Sequence, residues 1–196
     1  LGDASDLFQL PASAEIDIAS GATLDVNGTI DVTGATVTGL SAGKVLQVQH
    51  TSLTVATFST STTTAVDITG MTVDIQPSAT TSKILLMSTV NFNMSDTNVF
   101  CGFTALRDST AIDNGIGTGV GSRIACAAWG SDFNNQTMSN VQMTFLDEPS
   151  STSTITYKLQ VDIDGGVFYL NRSTTDSDNT SFGRTISTLT AMEIGA

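Results

Sequence analysis

From residue 155 to residue 163 the chain reads Ile-Thr-Tyr-Lys-Leu-Gln-Val-Asp-Ile, apolar or aromatic at every odd position and polar at every even one. Period two is the repeat of an extended strand, whose side chains alternate between faces, and it cannot be laid on the 3.6-residue repeat of a helix. One face of such a strand is buried and the other is wet. The same pattern, bounded by turn residues, predicts strands near residues 44–49, 53–58, 64–68, 72–75, 83–93, 99–107, 122–129, 139–146, 154–163, 166–171 and 184–194, with no helical period between them. The runs at 84–87 (Ile-Leu-Leu-Met) and 125–129 (Ala-Cys-Ala-Ala-Trp) are apolar on both faces, which suits central strands or strands covered by a neighbouring subunit. Asp164-Gly165-Gly166 is a hairpin signal. Antiparallel strands at this density, over residues 43–196, predict an all-β, two-sheet sandwich with a jelly-roll-like arrangement.

Residues 1–42 read differently. An apolar-Asp-apolar triplet followed by a glycine recurs as Ile16-Asp17-Ile18, Leu24-Asp25-Val26 and Ile30-Asp31-Val32, with Val37 close behind. Alternation places Ile16, Ile18, Leu24, Val26, Ile30 and Val32 on one face and the three aspartates on the other. Strands this short bury too little on their own, so the apolar stripe needs a cover. Two arrangements supply one: stacking on the following domain, or three chains wound about a common axis with these residues and Val37 inside. The second is the better match to a few unevenly spaced rungs. A meander of ordinary hairpins reads the same way from sequence.

Composition removes whole classes of function. The 196 residues carry Lys+Arg 7 against Asp+Glu 19, a formal net charge of −12, so no basic face is available to grip nucleic acid. With 40% hydrophobic and 13% charged residues, this is not the composition of a disordered acidic tail. No apolar run is long enough for a membrane helix, and no leader pattern opens the sequence, so neither membrane insertion nor an export signal is expected.

Chemistry is equally constrained. His50 is the sole histidine, and no nucleophile elbow accompanies it. The acidic pairs Asp147/Glu148, Asp162/Asp164 and Asp176/Asp178 are each placed like turns; Asp162 and Asp164 resemble half of a calcium loop but lack the remaining ligands of an EF-hand. The glycine-rich run 114–122 lacks the Gly-Lys-Ser/Thr ending of a phosphate loop. Cys101 and Cys126 sit in apolar runs and read as buried thiols, a single bridge being the alternative. No catalytic group, resident metal or cofactor is expected.

Binding is the better prospect. Trp129 leads into Asp132, Phe133, Asn134, Asn135 and Gln136. An aromatic face lies well against the apolar face of a sugar, and carboxylate and amide groups satisfy its hydroxyls. The alternative is that Trp129 plugs the sandwich or a subunit interface. Arg172 is a second candidate, for an acidic sugar, unless it pairs with Asp176 or Asp178.

The glycine-punctuated stalk, Gly43-Lys44-Val45-Leu46-Gln47-Val48, Ile75-Gln76-Pro77-Ser78 leading to Ser82-Lys83-Ile84-Leu85-Leu86, Tyr157-Lys158-Leu159-Gln160, Tyr169-Leu170-Asn171-Arg172-Ser173, and the run from Ser187 to Ile194 together resemble bacteriophage tail-fibre and virion-appendage proteins, particularly of marine and cyanobacterial phages. The resemblance implies a homotrimer on the outside of a virion, attached to other tail or capsid proteins through the N-terminal segment, whose knob binds a host-surface glycan or protein. A capsid-decorating or connecting virion protein, a glycan-degrading fibre and a bacterial surface adhesin are the alternatives.

Overall fold

The computed structural model describes residues 27, 44–131 and 136–195. Two compact units divide the chain, Leu1–Leu40 and Ser41–Ala196. The stalk positions Ile16, Ile18, Leu24, Val26, Ile30, Val32 and Val37 lie outside the described residues, as do Asp132, Phe133, Asn134 and Asn135.

Among the described residues of the second unit there are eleven strands: β1 (Val45–Leu53), β2 (Ser59–Thr60), β3 (Val66–Ile75), β4 (Lys83–Met94), β5 (Cys101–Arg107), β6 (Thr110–Ala111), β7 (Ala128–Gly130), β8 (Ser139–Asp147), β9 (Ile155–Ile163), β10 (Phe168–Leu170) and β11 (Ser187–Ile194). All pairings are antiparallel. In the first sheet β11 lies between β1 and β4, and β8 pairs with the other edge of β4. Beyond the end of β11, β10 takes over the same edge of β4 from Phe92 to Met94, with β2 outside it. In the second sheet β9 lies between β3 and β5, and the far edge of β5 is shared by β6 and β7.

The alternation read in the sequence is the alternation observed. Ile155, Tyr157, Leu159, Val161 and Ile163 of β9 are buried and the residues between them are partly exposed. On β4, Ile84, Leu86, Val90 and Phe92 turn inward, and the apolar outward positions Leu85 and Met87 are half-buried on a central strand. Phe92, Phe103 and Phe168 meet at the centre, with ring centroids 5.2 to 5.9 Å apart. Full burial of each such side chain contributes roughly 1.5–3 kcal/mol.

Four expectations are corrected. The hairpin expected at Asp164-Gly165-Gly166 does not form: the segment crosses between the sheets, from β9 in the second to β10 in the first. The two strands expected over 64–68 and 72–75 are one, β3, interrupted by a bulge at Gly70, whose φ of +87° suits glycine. No strand forms over residues 54–58. Nor does one span 122–129: only Ala128–Gly130 joins the ladder, and the apolar stretch before it folds over the outer face of the second sheet against Gly102.

Two buried polar centres tie the sheets' connections down. Glu193 of β11 is 1% exposed. Its carboxylate accepts hydrogen bonds from the Ser78 backbone N–H (2.7 Å), the Ser78 hydroxyl (2.6 Å), the Ser82 hydroxyl (2.7 Å) and Gln47 Nε2 (2.6 Å). Burial raises its pKa, but these hydrogen bonds outweigh burial and hold the carboxyl at about 2, below its ordinary 4.5. Asn171, fully buried at φ +59°, donates from Nδ2 to the carbonyls of Leu53 (2.8 Å) and Val55 (3.1 Å) and accepts the Ser187 hydroxyl (2.7 Å).

Candidate functional site

Trp129 stands on β7, and its register partner on β5 is Gly102. Cys101 and Phe103 point into the core, so position 102 faces outward. A Cβ there would lie 3.1 Å from Trp129 Cε3 and 3.0 Å from the Cβ of Cys126, so glycine lets both side chains lie flat on the sheet. Trp129 stacks on Phe100, with centroids 5.9 Å apart and planes 12° from parallel. Phe100 is fixed in turn by Asp164: its N–H donates to Asp164 Oδ1 at 2.7 Å, and the Asp164 N–H donates to its carbonyl at 3.1 Å. The indole nevertheless remains 46% exposed.

Beside it opens a cavity of about 450 Å³ lined by Trp129, Ser122, Arg123, Ile124, Cys126 and Asp164. Ser122 and Arg123 come from the end of the glycine-rich loop, which folds back so that the Gly117 N–H reaches the Cys126 carbonyl at 2.9 Å. The Arg123 guanidinium donates to the Val120 carbonyl at 3.3 Å and is exposed. By contrast, Lys83, Arg107, Lys158 and Arg184 all pair with carboxylates. The cavity thus presents an aromatic face, apolar walls, a guanidinium, a carboxylate and a hydroxyl.

The other sequence candidates fall elsewhere. Gln136 is in an exposed turn and does not line this cavity. Arg172 lies over the Tyr169 ring, 4.1 Å from its centroid, and donates to the carbonyls of Ser173 (3.2 Å) and Thr174 (3.5 Å); it pairs with neither Asp176 nor Asp178, and Asp176 goes to Arg184. Asp164 belongs to the cavity rim, while Asp162 faces outward from β9 opposite Gly102, with its Oδ1 buried and accepting no hydrogen bond. The described residues contain no cluster of metal-ligating side chains.

Both acids of the Asp147/Glu148 pair are held in ion pairs. Asp147, nearly buried, accepts two bonds from Arg107 Nη1 at 3.0 Å and one from the Tyr157 hydroxyl at 2.6 Å. Burial, then the bond to Asp147, pushes the Tyr157 phenol well above its ordinary range. Glu148 pairs with Lys83 at 2.6 Å. Both cysteines are thiols on opposite faces of the second sheet: Cys101 is in the core, and Cys126 lies against Gly102.

Of the residues brought together here, the sequence singles out Trp129 as a binding candidate and Asp164 in another role, but not Arg123 or Gly102. The signal for Arg123 was a cation directly after a run of glycines; Gly102 carried none beyond its place in an apolar run.

No protein-family model matches the chain, and no curated protein matches it significantly. Among solved structures, a chain in a structure of the Gt strain of infectious bursal disease virus is similar at 12% identity and a TM-score of 0.45, over 85% of this chain and 44% of that one. A chain in a structure of the Gx strain is similar at 12% identity and a TM-score of 0.40, over 76% and 39% respectively. This chain therefore spans less than half the length of either.

Proposed function

We propose that this protein is a non-enzymatic attachment protein on a virion surface, a tail fibre or fibre tip whose β-sandwich binds a glycan of the host surface. The observation that carries the reading is the half-exposed, rigidly backed Trp129 at the edge of the cavity with Arg123 and Asp164. A pyranose ring stacked on the indole would place hydroxyls within reach of a donor and an acceptor. Asp164 at the rim and the Asp162 carboxylate nearby favour a neutral sugar over an acidic one. The strand orders β1-β11-β4-β8 and β3-β9-β5-β7 are compatible with a jelly-roll sandwich, a fold that gathers its connecting loops at the ends. The resemblance to phage appendages supports the virion setting.

The test is a screen of the full chain against immobilised host-type glycans, repeated with Trp129→Ala. Binding that the substitution abolishes, with the melting temperature unchanged, supports the reading. Binding that survives the substitution removes this cavity from it. A capsid-decorating or connecting role is the second reading, and the neutral outer face of the first sheet is the feature that favours it.

A further inference from the structure

The outer faces of the two sheets differ in character. Register places Val48 beside Met192, Met192 beside Leu85 and Leu85 beside Leu146, so four apolar side chains form one row straight across β1, β11, β4 and β8. Directly opposed residues in antiparallel strands share a face, so the row is continuous. Its two ends are open: Val48 is 50% and Leu146 46% exposed. Val45, in register with Ile194, extends the band beyond it and is 54% exposed. The next two rows, from His50 to Thr144 and from Ser52 to Gln142, contain no carboxylate, ammonium or guanidinium. Lys83, at the band's margin, is neutralised by Glu148. The outward face of the second sheet, by contrast, carries Asp67, Asp74 and Asp162 with Lys158.

The occupant follows from charge. Each chain carries a net −12, so two copies repel over most orientations, and a partner of opposite charge would find nothing to grip on this face. A face with an apolar band and no unpaired charge, its one acid Glu148 being matched by Lys83, is where like-charged copies meet at least electrostatic cost, and burial of the band supplies the attraction. We infer that the outer face of the β1-β11-β4-β8 sheet is the surface through which the sandwich packs against a second copy of this chain. The inference is independent of the Trp129 cavity, which belongs to the other sheet. It gives the expected homo-oligomer a contact surface within the sandwich itself.

The experiment is the mass of the full chain in solution by light scattering, for the wild type, Leu146→Arg, Thr144→Arg and a control on the opposite sheet, Thr72→Arg. The expected result is a wild-type mass at a multiple of 20.3 kDa, unchanged in Thr72→Arg and lowered in both face variants, with folded circular-dichroism spectra throughout. Thr144 is exposed and outside the core, so its variant reports on assembly even where Leu146→Arg perturbs folding. Screening by salt weakens the repulsion between copies, so the assembly should strengthen from low to high ionic strength. A monomeric wild type, an unchanged mass in Thr144→Arg, or an assembly that dissolves in salt overturns the inference. Glycan binding retained by a dissociated variant would leave the cavity reading intact, so the two fail separately.

Discussion

The Ser82 hydroxyl donates to the Glu193 carboxylate at 2.7 Å across a sequence separation of 111 residues. Ser78, four residues earlier in the same stretch, donates to it as well, and Gln47 brings a third segment to the same carboxylate. Three of the short motifs through which the chain resembles phage appendages thus converge on one buried ion.

That convergence makes stability acid-sensitive in a defined window. A carboxyl held at about 2 when folded, against an ordinary 4.5, stabilises the fold fully above pH 4.5 and loses that contribution as pH falls toward 2. At about 1.36 kcal/mol per pKa unit the contribution is on the order of 3 kcal/mol. Urea unfolding of wild type and Glu193→Gln from pH 6 to pH 2.5 should show the wild-type advantage shrinking as pH falls. A constant difference would mean that Glu193 keeps its ordinary pKa in the fold.

Gly102 and Trp129 form the second sensitive pair. A Cβ at 102 would press on the indole at 3.1 Å, so Gly102→Ala should displace Trp129 at a cost of about 1–3 kcal/mol, typical of overpacking. The chain has one tryptophan, so its fluorescence reports on this site alone. The variant is expected to shift the emission maximum and weaken glycan binding several-fold. An unchanged spectrum would show that Cys126 yields instead.

Asn171 combines a positive φ with side-chain hydrogen bonds to two distant segments, Leu53/Val55 and Ser187. Asn171→Gly keeps the backbone relaxed and loses the bonds; Asn171→Ala loses both. Each should destabilise by roughly 2–4 kcal/mol through unpaired buried groups, with alanine the worse by about 1 kcal/mol. Chemical denaturation midpoints of the two variants separate the effects, and equal losses would show that backbone strain is negligible there.

The thiols should differ in reactivity. Burial raises both pKa values, Cys101 far more than Cys126. Alkylation of the native protein followed by mass spectrometry is expected to label Cys126 slowly and Cys101 only after unfolding, with no reductant needed to reach either. A requirement for reductant would reveal a bridge.

Much of the architecture was legible because its signal is local. The alternation of β9 and β11 and the doubly apolar run at Ile84–Leu86 in β4 are properties of adjacent residues, and each appears where expected, whereas Asp164-Gly165-Gly166, locally a hairpin signal, joins strands of different sheets. Register is not local. That Glu193 lies beside Gln47, or Gly102 beneath Trp129, depends on pairings between strands far apart in sequence. The stretch before Ala128 misled for the same reason: its apolar residues are satisfied by the outer face of a sheet, not by membership of one. Trp129 was recognisable from chemistry alone, but its partner Arg123 arrives from the far end of a loop whose path no periodicity encodes.

β1 and β11 run side by side from Val45 opposite Ile194, and the Gly195 N–H donates to the Lys44 carbonyl at 2.8 Å. Entry to and exit from the sandwich therefore occur at one point. A domain threaded in this way can be spliced into a surface loop of an unrelated host protein, or opened at a new position after its ends are joined by a short linker, without breaking a strand pairing. The sandwich is in that sense a portable cartridge, and the Trp129 cavity would travel with it.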